Sequence, residues 1–520
     1  MKLVFVALLV LTAVVGVWAG GGKEEAPASE KETKVVKEKA PEVKEIPQVL
    51  NFAMPGNPDT LDPAVTSGTL TFQTLKSVYD SLAEPDKEGN IIPALAESWD
   101  VSEDGISWTF RLRKGVVFHN GDPLTSADVK ATFERMLKEE TASPHVGSYG
   151  VIAAIDTPDD LTVIFTLKEA FSPFLAALAS GWGAILPKSL IDSGHDFASK
   201  PVGTGPFVMK EWVRDNRIVF EKNPNYWKPG LPKLDRVNLN IITESTVQVQ
   251  SLMAGQNDIQ FIVDSDDLPM LESDPNIVIE KNLTSLIFVI AMNCENEILS
   301  DLRVRQAINH AIDKQAALDV AYGGGNIIGT FMDYSNYYYK DFTSFYPYDP
   351  AKAKALLAEA GVTADDELEM FLPQNYPLHV RAGEIYQEML SKVGLNVKLR
   401  LVDWSTWISD VYRGGKYDLT VIAHTGKLDP NGTLTGYGAG KYVKWYNDEA
   451  AALINDAVTV SDPAERKAMY DKALEIMARE VPFVYIGSSS RFTAYNKKVK
   501  GFQITPNLDT FDFRWTEIVE

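Results

Sequence analysis

Six histidines stand apart in this chain, with no HExxH or other metal-ligand spacing, so no metal site is expected from them. His424 alone sits where chemistry could happen. It ends a strand read over 417–423, and open α/β sheets bind ligands beyond strand ends. Nucleophile patterns are missing too. Gly487-Ser488-Ser489-Ser490 follows a strand but lacks the second glycine of a GxSxG elbow, and it reads as a hinge-like crossing. No GxxxxGK[ST] loop occurs. Gly436-Tyr437-Gly438-Ala439-Gly440 does not open a helix directly from a strand, so it reads as a flexible loop rather than a dinucleotide cradle. The remaining signal is aromatic. Of 10 Trp and 20 Tyr, several fall among turn residues: Trp182, Tyr334, Tyr337 to Tyr339, Trp404, Trp407, Tyr437, Tyr442 and Trp445. Flat rings beside Asn, Asp and Gly suit a concave site for a peptide or a sugar. The residues point to binding rather than turnover; a secreted hydrolase with an unrecognised site is the alternative.

The elements that would position these loops alternate between strand and helix. Val49 to Ala53 reads as a short strand, and Phe72, Leu75, Val78 and Tyr79 fall at helical spacing. Trp108, Phe110 and Leu112 alternate with Thr109, Arg111 and Arg113, which predicts a strand buried on one face. Ser102 to Gly105 turns into it from a strand near Trp99, and Thr125 with Asp128 forms a capping box for the helix that follows. Leu161 to Leu167 is another alternating strand, and Phe171 to Ala179 an apolar helix. Leu286 to Met292 is nearly all apolar, as for a strand covered on both faces. Asp301 to Tyr322 reads as one helix, and a second runs from Asp349-Pro350 to Gly361. Val484 to Ile486 and Arg491 to Tyr495 read as the last two strands. The class is α/β with mixed sheets.

A chain of 520 residues needs more than one core. Its formal charge of −21 argues against nucleic-acid binding, which needs a basic face. The single cysteine, Cys294, allows neither an intrachain disulfide nor a cysteine-based zinc site, and reads as a buried thiol. At the N-terminus Lys2 precedes an apolar run from Leu3 to Trp18, with small residues before the break after Ala19. That reads as a secretory signal over 1–19, with an uncleaved anchor as the alternative. Residues 20–47 are rich in Lys, Glu, Ala and Pro without an aromatic, and read as a disordered stalk.

Four separated stretches carry a resemblance. They are Trp99 with Glu103-Asp104-Gly105, Phe110 to Arg113, Gly115, Phe118 and Asp128-Val129; Gly203 to Phe207 with Asn223 to Trp227; Asp301 to Ile308 with Ala311 to Lys314; and Tyr348 to Gly361. In wording, order and spacing the chain from about Gln48 onward resembles the peptide/nickel-type solute-binding proteins (family 5) that feed bacterial ABC importers. The resemblance implies a two-lobed, hinge-closing periplasmic binding protein fold with an extra small domain. Lobe I would take 48–79, 201–281 and 490–520, the small domain 80–200, and lobe II 282–489. The chain would cross between lobes near Asn282 to Thr284 and near Gly487 to Ser490, and ligand would close the lobes around itself.

The resemblance further implies capture of a small-molecule ligand and delivery to permease subunits, with no catalytic step and no cofactor. The protein would work in the periplasm or otherwise outside the cytoplasm, as a monomer. In dipeptide-binding relatives a lobe II aspartate pairs with the peptide's ammonium; that position here looks like Gly426, with Asp429 a substitute only if the loop differs. The missing charge raises an oligosaccharide as the alternative ligand to a di- or oligopeptide. Nickel or haem has less support, because no suitable histidine pair is present. Loop position and resemblance together nominate Asn57, Ser67, Gly68, Thr69, Gly203, Thr204 and Gly205 from lobe I. From lobe II they nominate Asp333, Tyr334, Trp404, Trp407, His424, Thr425, Gly426 and Asp429.

Overall fold

The computed structural model describes residues 46–520 apart from 88, 335, 438–441 and 505–509. The expected signal, residues 20–45 of the stalk, and most of the glycine-rich loop at 436–440 lie outside the described residues.

The backbone of the molecule is an eleven-stranded mixed sheet. Two long antiparallel strands, Ile277–Met292 and Phe483–Asn496, run side by side through its middle, pairing from Ile277↔Asn496 to Ala291↔Phe483. One half of the sheet extends outward from them through Ile259–Val263, Val49–Met54, Arg236–Ile241, Arg217–Lys222 and Phe207–Val213. The other half extends through Leu419–Thr425, Glu367–Pro373 and Asn396–Val402. The apolar run 286–292 is covered on both faces, as its composition predicts. Phe288, Ile290 and Met292 enter one core cluster, while Ile287, Val289 and Ala291 enter another.

The crossing between halves differs from the sequence reading. Residues 487–490 are not a linker between two strands; they lie within the one strand Phe483–Asn496. Gly and Ser are poor strand formers, but partners on both sides override that preference. The bend comes from register shifts between Leu283 and Ile287 and between Phe288 and Val289. A shift of this kind bends and twists a strand pair and leaves backbone groups unpaired. Side chains meet them: the Thr284 hydroxyl donates to the Ser489 carbonyl at 3.1 Å, and the Ser488 hydroxyl donates to the Thr284 carbonyl.

The stretch read as one helix over 301–322 is two, Leu302–Ala311 and Lys314–Ala321. Asp313 divides them because its carboxylate accepts the Ala316 N–H at 3.0 Å, an N-cap that outcompetes helix continuation. Pro350–Ala360 is as expected, with Asp349 capping and Gly361 in the left-handed region at φ 79°.

A separate four-stranded antiparallel sheet follows the order Ala96–Val101, Ser107–Leu112, Thr162–Leu167, Ile152–Asp159. Trp108, Phe110 and Leu112 are buried in its core beside Phe133 and Phe165, and the capping box holds, with Asp128 accepting the Thr125 N–H at 2.8 Å. The helix expected over 171–179 covers only Phe174–Leu178. Ser172 is drawn away from it: its N–H donates to the Val458 carbonyl at 2.8 Å and its hydroxyl to the Val460 carbonyl at 2.5 Å. These bonds tie the small-sheet region directly to the far half of the molecule.

The small sheet's region is bonded to the first half of the large sheet by a buried charge cluster. The Glu84 carboxylate faces Lys76, Lys228 and Arg514, and Arg514 also pairs with Asp512. Burial alone would raise the Glu84 pKa; the charges of Lys76, Arg514 and Lys228 outweigh it and hold the carboxyl far below the usual range. Asp80 accepts from Trp227 Nε1 at 2.9 Å and from the Thr204 hydroxyl at 3.0 Å.

Candidate ligand-binding cleft

A cavity of about 1370 Å³ opens between the two halves, beside the bent crossing strands. From the first half it takes Ser67, Thr69, Phe72 and Gln73, at the start of the helix Thr69–Leu75. The Ser67 loop is held in shape by Asp59, whose two oxygens accept from the Thr66 and Thr71 hydroxyls at 2.5 Å each. The small-sheet region adds His145, Phe171, Pro173 and Trp182. Their rings form one wall: Trp182 lies 4.9 Å from Phe72 and stacks on His145 at 4.6 Å. Burial lowers the His145 pKa, so at neutral pH the imidazole is uncharged, and the nearby charge of Lys427 acts in the same sense.

The second half contributes the loop after Leu419–Thr425. That strand pairs with 286–292, Thr425 opposite Leu286, so its end falls at the bend. Gly426 sits tightly there, donating its N–H to the Ser285 carbonyl at 2.7 Å. A Cβ on Gly426 would come within 3.0 Å of both that carbonyl oxygen and Asp333 Oδ2, which explains why the position is glycine. The Lys427 carbonyl accepts from Asn336 Nδ2 at 2.8 Å. Asp429 is buried against Arg466 in a two-pronged pair, with the Nη2–Oδ1 bond at 2.8 Å, and Arg466 also donates to the Tyr338 and Tyr470 hydroxyls. The Asp429 carboxylate therefore anchors the loop rather than standing open to the cavity.

The charges around the cavity are distributed unevenly. Glu244, Asp264, Asp266 and Asp267 line it from the first half, Arg381 and Lys427 from the second, and Arg491 from the crossing strand. The Arg491 guanidinium lies 4.1 Å over the Phe261 ring.

Of the residues nominated from sequence, the structure brings Ser67, Thr69, Thr425, Gly426 and Asp429 to the cavity wall. The others lie off it, each for a visible reason. Gly68 caps the helix Thr69–Leu75. Asn57 bonds Asp215 at 2.6 Å. Gly203 and Gly205 pack against Val78 and Tyr79, where a Cβ on Gly205 would fall 2.4 Å from the Val78 carbonyl carbon, and the Thr204 hydroxyl is taken up by Asp80 at 3.0 Å. Asp333 is buried behind Gly426. Tyr334 points its hydroxyl to the Ile327 carbonyl at 2.6 Å. Trp407 is buried and bonded to Thr420, with Trp404 stacked on it at 5.0 Å. His424 turns into the core, where it meets the Tyr442 hydroxyl at 2.8 Å and burial pushes its pKa down to about 3.

Sequence reasoning missed Phe72, His145, Arg381 and Lys427 as wall residues. Lys427 lay inside the loop already singled out, and Trp182 was visible as an aromatic between two glycines. His145 carried no such signal.

This architecture, two sheet halves joined by paired crossing strands with a cavity at the bend, is that of an extracytoplasmic solute-binding protein. Residues 90–444 match the family described as bacterial extracellular solute-binding proteins, family 5, and the chain belongs to that family. Di/tripeptide-binding protein 1 of Pseudomonas aeruginosa (strain UCBPP-PA14) is 34% identical over 500 residues, covering 89% of this chain and 93% of that protein. Among solved structures, HbpA2 from Haemophilus parasuis matches with a TM-score of 0.83 at 26% identity, over 91% of this chain and 100% of its own. DppA from Helicobacter pylori, in complex with the peptide STSA, matches with a TM-score of 0.74 at 29% identity, over 91% of this chain and 98% of its own. The two-lobed fold is thus shared.

Proposed function

We propose that this chain captures short peptides in the cleft and delivers them, outside the cytoplasm, to the permease subunits of an ABC importer. The observation that carries the reading is the cleft itself: a 1370 Å³ cavity lined from both halves, acidic on one side and cationic on the other. A zwitterionic peptide supplies both complementary charges, and a neutral sugar supplies neither. The volume exceeds the roughly 300–1,000 Å³ of ordinary small-molecule sites, which suits an oligomer. The names of the relatives support the same ligand class: one is a di/tripeptide-binding protein, and another was solved holding a peptide. Of the loop aromatics that suit a peptide or a sugar, Trp182 lines the cavity, while Tyr334, Trp404 and Trp407 are absent from its lining.

On this reading lobe I comprises 48–79, 201–281 and 490–520, the small domain 80–200, and lobe II 282–489. The paired crossing strands act as the hinge, and the protein works as a monomer. Closure draws on contacts made to both lobes at once; shifting a closed form from 1% to 99% takes about 5.5 kcal/mol of differential affinity. Native mass spectrometry of protein purified from its own cells tests the reading. A retained mixture of short peptides is the expected result. A single retained sugar would replace the peptide reading with the oligosaccharide one, and turnover of the retained molecule would replace both with a hydrolase.

A further inference from the structure

Asp429 and Lys427, two residues apart on the loop after Leu419–Thr425, both line the cavity, yet only one is neutralised. Asp429 is paired with Arg466; Lys427 forms no ion pair and no side-chain hydrogen bond among the described residues. Its side chain is open to solvent, but the surrounding protein is dense enough that burial lowers its pKa. The ammonium is hydrated rather than paired, so an anion that reaches it meets a charge the protein has not already neutralised. The protein does not supply one from the facing wall, where His145 is neutral and Trp182 and Phe72 are apolar. Apart from Asp429, the carboxylates that line the cavity, Glu244, Asp264, Asp266 and Asp267, belong to the other half and form no ion pair with it.

We propose that Lys427 is the anion subsite of the cleft, taking a carboxylate of the bound ligand, and that the ligand therefore lies with its anionic end toward the second half. The proposal rests on the peptide reading above. The loop is built to hold the lysine in place. Gly426 is locked to Ser285, the Lys427 carbonyl to Asn336, and Asp429 to Arg466, so the ammonium projects from a backbone tethered on three sides. The acidic side of the cavity fixes the polarity: Glu244, Asp264, Asp266 and Asp267 repel a carboxylate and attract an ammonium. The opposite orientation would set like charges together at both ends. Two carboxylates of a peptide satisfy the same chemistry, the C-terminal one and an acidic side chain.

The test uses the full chain and three tripeptide libraries: free acids, the same sequences as C-terminal amides, and amides carrying a central glutamate. Affinity is measured for the wild type, Lys427→Met, Lys427→Arg and Arg381→Met, the last removing the other second-half cation that lines the cavity; a preference for free acids lost there and kept in Lys427→Met would assign the anion subsite to Arg381 and overturn the proposal. The wild type is expected to prefer free acids over amides by tenfold or more. Lys427→Met should bring the free acids down to the affinity of the amides, erasing that preference, and Lys427→Arg should keep most of it. Recovery of binding by the glutamate-bearing amides would assign the subsite to an acidic side chain; lack of recovery would assign it to the C-terminus. A Lys427→Met variant that keeps the full preference overturns the proposal and leaves the peptide reading intact. A wild type silent to all three libraries removes the peptide reading and this subsite with it.

Discussion

Two groups of charges in this molecule are built on opposite terms. Between the small sheet and the large one, Glu84 and Asp512 meet Lys76, Lys228 and Arg514 in a buried cluster where every charge has a partner. Around the cleft, Glu244, Asp264, Asp266, Asp267 and Lys427 form no ion pair among the described residues. A buried charge is tolerated only when compensated, so the first group is paired within the fold; the second is largely exposed and hydrated, and its charges are left available to a ligand. The difference separates structural charge from functional charge without reference to any relative.

The comparison is broken most sharply at Glu84. Glu84→Gln removes one carboxylate from among three cations that are themselves largely buried. The expected loss is about 3–5 kcal/mol of stability, because Lys76 and Lys228 lose their ion-pair partner while Arg514 keeps only Asp512. Chemical denaturation measures it, and a loss below about 1 kcal/mol would show that solvent already screens the cluster. Asp429→Asn strikes a smaller buried pair. Here the expected loss is about 3 kcal/mol, with peptide affinity falling as well because the Lys427 loop loses one of its tethers. Full affinity in that variant would free the loop's shape from the Arg466 pair.

Protonation gives a third test, smaller per step. Burial lowers the His379 pKa to about 4 and that of His424 to about 3. An unfolded histidine titrates near 6.5, so below that pH the unfolded chain takes up protons that the folded chain refuses. Stability therefore falls as pH drops from about 6.5 toward 4, with a slope near 1.4 kcal/mol per pH unit for each site. Glu84 responds in the other window. Its folded pKa is depressed, so its contribution is complete above the ordinary carboxylate range and is lost only at lower pH. Melting curves from pH 7.5 to 4.5 should show a slope that His379→Gln flattens; an unchanged slope would mean that His379 is charged in the folded protein.

How much of this was legible in advance follows from what each residue depends on. The alternation at Trp108, Phe110 and Leu112, the Thr125–Asp128 cap and the Asp349…Gly361 helix are local, and the structure repeats them. The crossing strands were misread because Gly487 to Ser490 has no strand propensity of its own; its pairing is with residues 283–288 and 325–326, far away in the chain. At the cleft, loops were found and orientations were not. Trp407 and His424 turn inward because Thr420 and Tyr442 offer them hydrogen bonds there, which no spacing rule encodes. Lys427 was passed over in favour of its neighbours Gly426 and Asp429, because only the structure shows that Asp429 is already engaged.

Lys427 supplies the smallest effect on stability and the one most opposed to Asp429. If its charge awaits a ligand, it contributes nothing to the ligand-free fold, and burial of its ammonium works slightly against folding. Lys427→Met should therefore leave the stability of the ligand-free protein within about 0.5 kcal/mol of wild type, with any change upward. Added peptide should then stabilise the variant less than the wild type, because the mass-action term falls with affinity. Thermal melts with and without a free-acid tripeptide read both quantities in one experiment. A ligand-free loss of 2 kcal/mol or more would place Lys427 with Glu84 and Asp429 among the charges that hold the fold, and the division between the two groups would then fail at its most exposed member.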